Sequence, residues 1–227
     1  MNSVIIVAAG SGKRFGGKTP KQFLEINGKP LIIYTLERFE QCPLIDEIIL
    51  VLQQTEIINF LSIAGKFGLT KLFKVIAGGE TRAESVLNAL NAIDSETAEI
   101  VAVHDGVRPL ITTEEITKTV LKAKETGAAC LVAPVNDTIK EISDEKIVRT
   151  ISRLNLRRAL TPQCFRYEIL KRAFEENSFD EEITDECFLV EKLGIEVSVV
   201  EGSARNIKIT HADDLALAEL LLCKSEA

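Results

Sequence analysis

The stretch Val4-Ile5-Ile6-Val7-Ala8-Ala9-Gly10-Ser11-Gly12-Lys13-Arg14-Phe15-Gly16-Gly17-Lys18-Thr19-Pro20-Lys21 opens in an unbroken apolar run and closes in glycine and cations. A short apolar run without polar alternation reads as a strand covered on both faces, and the glycines after it as a turn at its carboxyl end. Outward from this stretch the pattern repeats. Strand-like runs at 4–9, 48–52, 71–76, 100–104, 128–134 and 195–200 alternate with amphipathic stretches at 30–39, 55–67, 82–92, 113–126, 167–176, 185–192 and 211–222. Pro30 suits a first helical turn, and Thr112 or Thr113 ahead of Glu114 and Glu115 suits a helix N-terminus. Strands alternating with helices predict an α/β fold, a mostly parallel sheet covered by helices. In such a sheet ligands bind beyond the carboxyl ends of the strands, so the loops there are where chemistry is expected.

Residues 136–164 break the rhythm. Segments 138–142 and 146–152 alternate around Ser143-Asp144-Glu145, as a hairpin does. An isolated hairpin is marginal in water, so this inserted β-arm is expected to pack on something else, a second subunit being the candidate. With no repeat and no Gly/Ser linker, the 227 residues read as one domain, 1–227, carrying an arm at 136–164.

The chain holds 27 Lys+Arg against 34 Asp+Glu, a net charge of −7. That balance excludes a general nucleic-acid or membrane-surface binder, whose footprint is basic. The charge is unevenly spread. Residues 1–30 hold five cations (Lys13, Arg14, Lys18, Lys21, Lys29) against Glu25, and residues 146–172 hold eight against Glu168. Two basic segments on an acidic body point to a localised anionic ligand. A nucleic-acid module built on 146–172 has only Phe165 and Tyr167 for stacking. The five cysteines have no metal-type spacing, and there are two histidines, so neither a zinc site nor a disulfide framework is expected. The first apolar run is too short for a secretion signal or a membrane span, which gives a soluble, cytoplasmic expectation.

The glycine loop admits several readings. The dinucleotide fingerprint fails because its third glycine would fall on Phe15. The P-loop pattern G-x-x-x-x-G-K-S/T fits Gly12 to Thr19 by letter, as for an NTPase or kinase. It needs a helix beginning at its Gly-Lys-Thr, and Pro20 steers Thr19 away from helical geometry. Read whole, small Ala8, Ala9 and Gly10 let a base and ribose approach the backbone. Gly10 to Gly12 supply amides, and Arg14 and Lys21 flank a triphosphate. A mobile basic loop without a ligand is the plain alternative.

AAGSGKRFGGKTPKQFLEINGKP (8–30) resembles the opening of nucleotidyltransferases that activate sugars and polyols. GGETRAESV (78–86), VHDGVRP (103–109), APVNDT (133–138) with LTPQCF (160–165), and ITDE (183–186) with NIKIT (206–210) follow in order. Together they are similar to the 2-C-methyl-D-erythritol 4-phosphate cytidylyltransferase family of non-mevalonate isoprenoid biosynthesis. Ribitol 5-phosphate cytidylyltransferases share the loop and the HD-x-x-RP pattern. The DTIK and NIKIT segments look more like the methylerythritol family.

The resemblance implies a Rossmann-like nucleotidyltransferase domain and a homodimer joined through the arm. It also implies CTP and a polyol phosphate as substrates, with Mg²⁺ held mainly through the CTP phosphates and no residue assigned as a metal ligand. By that resemblance Ala8, Ala9, Gly79, Glu80 and Ser85 correspond to the cytosine pocket. Gly10, Gly12, Arg14 and Lys21 correspond to the triphosphate site. Asp105, Arg108, Thr184 and Lys208 correspond to the polyol-phosphate site, Asp105 touching the nucleotide as well. Thr138 and Arg153 on the arm would reach a partner's site. Arg14, Lys21 and Lys208 are the candidates for stabilising charge during transfer. Lys208 in the apolar run Ile207-Lys208-Ile209 reads as a strand-centre lysine that wants an anion. Gly106 stands where the family usually has alanine, Ser152 where an aspartate usually precedes the arm arginine, and Leu156-Arg157 where a leucine–aromatic pair is usual.

Overall fold

In the computed structural model of the chain, residues 1–10, 19–177 and 183–223 are described. The strands are β1 (Asn2–Val7), β2 (Glu25–Ile26), β3 (Lys29–Pro30), β4 (Glu47–Leu52), β5 (Leu72–Ala77), β6 (Ile100–Asp105), β7 (Ala128–Pro134), β8 (Ile139–Ser143), β9 (Lys146–Ile151), β10 (Arg157–Arg166) and β11 (Ser198–Glu201). The α-helices are α1 (Leu31–Glu40), α2 (Ile57–Ala64), α3 (Arg82–Leu90), α4 (Thr113–Thr126), α5 (Tyr167–Glu176), α6 (Glu186–Lys192) and α7 (Ala212–Cys223). Seven strands form one sheet in the order β11-β7-β10-β6-β1-β4-β5. β1 runs parallel to both neighbours, β4 and β6, and β4–β5 and β7–β11 are also parallel pairs. This is the mostly parallel α/β sheet expected.

Alternation along β1 shows how the layers are sealed. Val4 and Ile6 point to the face covered by α1, α2 and α4, where Ile32, Phe39, Phe60 and Val120 pack. Ile5 points to the opposite face, under α3, α5 and α6, with Val86, Leu90, Leu170 and Val190. Both faces are dry, which is why the strand carries no polar residue between Val4 and Val7; each such side chain contributes about 1.5–3 kcal/mol. Helix starts follow sequence chemistry. Thr81 and Thr112 each close a capping box, with Glu84 and Glu115. Pro30 takes the N-cap of α1 instead of its first turn. No helix among the described residues is long and apolar enough to cross a membrane.

The stretch expected as one arm, 136–164, divides. β8 and β9 form the expected hairpin as a separate two-stranded sheet with almost all residues exposed. β10 instead runs antiparallel between β6 and β7 in the main sheet, pairing Gln163 with Val103 on one side and Cys130 on the other. The arm therefore ends before Arg157. Polar Thr161 and Gln163 hide this strand in the sequence, because their side chains are satisfied by partners far along the chain.

Candidate active site

Because β1, β4, β5 and β6 are parallel, their carboxyl ends share one edge, and a cleft of ≈ 540 Å³ opens there. Its walls are the loop Ala8–Gly10 after β1, Gln53 and Gln54 after β4, the turn 78–82 with Ser85 after β5, and Asp105 and Val107 at the end of β6. Lys21 and Gln22, from a single 3-10 turn (Lys21–Phe23), and Lys208 close the remaining side.

The loops keep the sheet's hydrogen bonding beyond its last residues. The Ala8 amide donates to Val51, Gly78 to Leu52 and Gly106 to Val7, at 2.8–2.9 Å. The buried Gln22 donates its side-chain amide to the Ala8 carbonyl at 2.9 Å, tying the returning loop to β1. Ser85 organises the opposite wall: its hydroxyl donates to the Thr81 carbonyl at 2.9 Å and accepts from the Gly79 amide at 3.1 Å. The two walls touch at Gly78, where a Cβ would stand 2.5 Å from Ala9 Cβ and 2.7 Å from Ser85 Oγ. Only glycine permits that approach. The floor is thus backbone and small side chains, suited to a flat base.

At the floor's edge lies Asp105, 5% exposed and surrounded by cations. Its Oδ2 is 3.0 Å from Arg108 Nε and 3.0 Å from Lys208 Nζ, and its Oδ1 is 3.5 Å from Arg82 Nε. Burial alone would raise the carboxyl's pKa, but Lys208, Arg82 and Arg108 together hold it well below the usual carboxylate range. At neutral pH Asp105 is therefore an anion that accepts hydrogen bonds. Arg82 also reaches Glu186 at 2.5 Å, and these two carboxylates outweigh burial in raising its pKa.

His104 has no part in the cleft. Its fully buried ring stacks at a tilt on Phe39, with centroids 4.9 Å apart, and burial pushes its pKa down to about 3. The neutral ring donates from Nε2 to the Arg108 carbonyl at 3.3 Å and accepts at Nδ1 from the Thr161 hydroxyl at 3.0 Å.

Of the residues singled out in the sequence, Ala8, Ala9, Gly10, Lys21, Gly79, Glu80, Ser85, Asp105 and Lys208 meet on this cleft. Gly12 and Arg14 lie outside the described residues. Arg108 stands behind Asp105 and also donates to the Asn206 carbonyl at 2.8 Å, so it braces the cleft without lining it. Thr184 is exposed at the approach to α6, whose N-cap is Asp185. Thr138 and Arg153 lie on the exposed arm, where the Arg153 guanidinium donates to the Asn136 carbonyl. Lys208 is not in a strand: it sits in an irregular segment pinned by the Ile209 amide on the Val107 carbonyl and by Lys21 Nζ on the Ile209 carbonyl at 3.0 Å. The P-loop reading finds no support, since among the described residues after Thr19 no α-helix begins before Leu31.

The sequence did not single out Gln22, Arg82 and Glu186, whose side chains brace the site, nor the lining residues Gln53, Gln54 and Val107. Arg82 and Glu186 each fall inside a motif, GGETRAESV and ITDE, and an arginine between a glycine turn and a helix was the available signal. Among the described residues no group of three or more His, Cys, Asp or Glu side chains is placed to hold a metal ion.

A family model described as IspD, 2-C-methyl-D-erythritol 4-phosphate cytidylyltransferase, matches residues 2–224. The enzyme of that name from Syntrophus aciditrophicus is 43% identical over 225 residues, covering 98% of this chain and 96% of its own. That from Alkaliphilus metalliredigens is 44% identical over 223 residues, covering 97% and 92%. The crystal structure of 4-diphosphocytidyl-2C-methyl-D-erythritol synthase from Anaerococcus prevotii superposes with a TM-score of 0.86 at 30% identity, covering 98% of this chain and 96% of that one. With its cleft at the carboxyl ends of the strands and a match that runs almost end to end, the chain belongs to the 2-C-methyl-D-erythritol 4-phosphate cytidylyltransferase family.

Proposed function

We propose that the protein transfers the cytidylyl group of CTP to 2-C-methyl-D-erythritol 4-phosphate, giving 4-diphosphocytidyl-2-C-methyl-D-erythritol and pyrophosphate for isoprenoid precursor synthesis. The observation that carries this reading is the near-complete family match on a chain whose cleft joins a base-sized floor to Lys21, Lys208 and Asp105. Cytosine lies on Ala8, Ala9 and the 79–85 wall, and the triphosphate runs along Gly10 toward Lys21; Gly12 and Arg14, outside the described residues, are assigned to the triphosphate by the family resemblance. The acceptor sits over Asp105 and Lys208, with Thr184 at its edge.

A phosphate monoester has a second pKa of about 6 and is largely dianionic at neutral pH, so no general base is needed. That suits a cleft in which His104, next to Asp105 in sequence, is neutral and buried. An acceptor phosphate oxygen attacks the α-phosphorus of CTP; the new P–O bond forms as the bond to the β-phosphate breaks, and pyrophosphate leaves with the electron pair. The barrier is repulsion between polyanions and the charge that develops on the bridging oxygens. Arg14, Lys21 and Lys208 oppose both, acting through position and charge. Asp105 accepts hydrogen bonds from hydroxyls of the ribose or the polyol.

Magnesium fits this donor set as a guest of the nucleotide. The triphosphate would supply most of the hard oxygen ligands, and the carboxylates lining the cleft are Glu80 and Asp105, the latter already paired with Arg82, Arg108 and Lys208. When bound, the ion neutralises phosphate charge and orients the leaving group.

The arm's exposed Ile142, Ile147, Val148 and Leu154 support a homodimer in which Thr138 and Arg153 approach the partner's acceptor site. The free cysteines among the described residues favour a reducing, cytoplasmic setting. The test is pyrophosphate release from CTP and Mg²⁺ with 2-C-methyl-D-erythritol 4-phosphate or ribitol 5-phosphate as acceptor. Turnover is expected with the first; turnover only with the second overturns the assignment.

A further inference from the structure

We propose that Arg82 and Glu186 form a positioning pair that holds Asp105 in place when Lys208 turns from it toward an anionic substrate. The inference rests on the functional reading above and adds to it two residues that do not themselves touch the reacting atoms.

The pair spans three elements. Arg82 opens α3, directly after the glycine turn of the nucleotide wall. Its guanidinium reaches across the end of β6 to Asp105 and on to Glu186, the first residue of α6. Glu186 is fully buried, with Oε1 at 2.5 Å from Arg82 Nη1 and Oε2 without a hydrogen bond among the described residues. A carboxylate so placed is costly, and a well-packed apolar pair would serve the fold as well. Its position is also fixed from behind. Gln163 of β10 accepts the amides of Glu186 and Cys187 at 3.1 Å and donates to Asp185 Oδ2 at 2.8 Å. Glu186 is therefore a stationary anion on a secured helix start, two residues beyond Thr184.

Lys208 is the movable member. It is more than a third exposed, on an irregular segment, and its ammonium is a compact charge on a flexible stem. When it turns to a phosphate, Oδ2 of Asp105 keeps Arg108 and Oδ1 keeps Arg82. Arg82 lines the cleft and is itself partly exposed. Without Glu186 its planar fork would be drawn to the same polyphosphate, leaving Asp105 undercompensated on the side facing the nucleotide wall. Glu186 restrains Arg82, and Arg82 restrains Asp105.

The test compares E186Q and R82K with the parent enzyme, using CTP, Mg²⁺ and 2-C-methyl-D-erythritol 4-phosphate. The readouts are kcat, KM for each substrate, CTP affinity by calorimetry and the thermal midpoint. E186Q keeps an acceptor for Arg82 but removes the charge. It is expected to bind CTP within about threefold of the parent while kcat/KM for the acceptor falls tenfold or more. R82K keeps the charge but cannot span both carboxylates, so it is expected to share that loss even if E186Q folds poorly. Full activity in R82K, E186Q within twofold of the parent, or a loss confined to CTP affinity each overturns the inference alone. A parent enzyme that releases no pyrophosphate from this pair overturns the functional reading and the inference with it.

Discussion

Lys208 Nζ lies 3.0 Å from Asp105 Oδ2, a lysine from an irregular segment facing the last residue of a central strand. The strand end is rigid and the lysine is not, so the contact joins the fixed and adjustable sides of the cleft. Lys208→Ala is expected to lower kcat/KM by about a hundred- to thousandfold, the usual effect of losing one charge-stabilising donor. Stability should change by less than about 1 kcal/mol, since the pair is partly solvated and Asp105 keeps two arginines. Pyrophosphate release and urea unfolding measure the two effects separately.

Asp105→Asn reverses that balance, leaving Arg82, Arg108 and Lys208 around a neutral amide. Stranding buried charge of this kind costs about 3–5 kcal/mol, so the variant should unfold at clearly lower urea concentration at pH 7. The carboxyl's pKa in the fold is depressed below the ordinary 3.8. Its contribution is therefore complete above that value and fades as pH falls through the lower, folded one. The stability gap between parent and variant should stay flat from pH 8 to 5 and narrow only in stronger acid.

His104 responds in a higher window. Its folded pKa of about 3 lies below the ordinary 6.5, so between those values the unfolded chain binds the extra proton. Stability is complete above pH 6.5 and falls with acidification, by up to about 1.4 kcal/mol per pH unit. His104→Gln keeps one donor and one acceptor but does not titrate. Urea unfolding at pH 7.5, 6.0 and 5.0 should show the parent losing ground faster than this variant; parallel losses would refute the assignment.

How much of this was legible in the chain depended on the range of each interaction. The parallel strands announced themselves because strands buried on both faces are written as continuous apolar runs. The glycine turn, Lys21 and Lys208 stood out because chemistry and local spacing coincide there, and Asp105 through the resemblance of VHDGVRP to a family motif. β10 stayed hidden because its buried Thr161 and Gln163 are polar: one side chain bonds His104 and the Asp105 amide, the other the start of α6. The partnership of Arg82 with Glu186 was equally invisible, since 104 positions separate them and neither residue's neighbours hint at the other. What the sequence conceals is the long-range satisfaction of buried polar groups.

Gly106 offers a test of packing beside the base-sized floor. A Cβ there would stand 2.7 Å from Ile32 Cδ1, 2.9 Å from Ala8 Cβ and 3.3 Å from Ile6 Cγ2. In this chain the Ile32 tip fills space that an alanine would need. Gly106→Ala is expected to cost about 1–3 kcal/mol by overpacking. Ile32 can turn its end away, but Ala8 is fixed to Val51 and Gln22 through its backbone and can move only with the floor. KM for CTP should therefore rise several-fold while KM for the acceptor changes less. Adding Ile32→Val removes Cδ1 and should recover most of the stability without restoring CTP affinity. If the double variant regains both, Ile32 alone carries the strain and the contact with Ala8 does not shape the nucleotide floor.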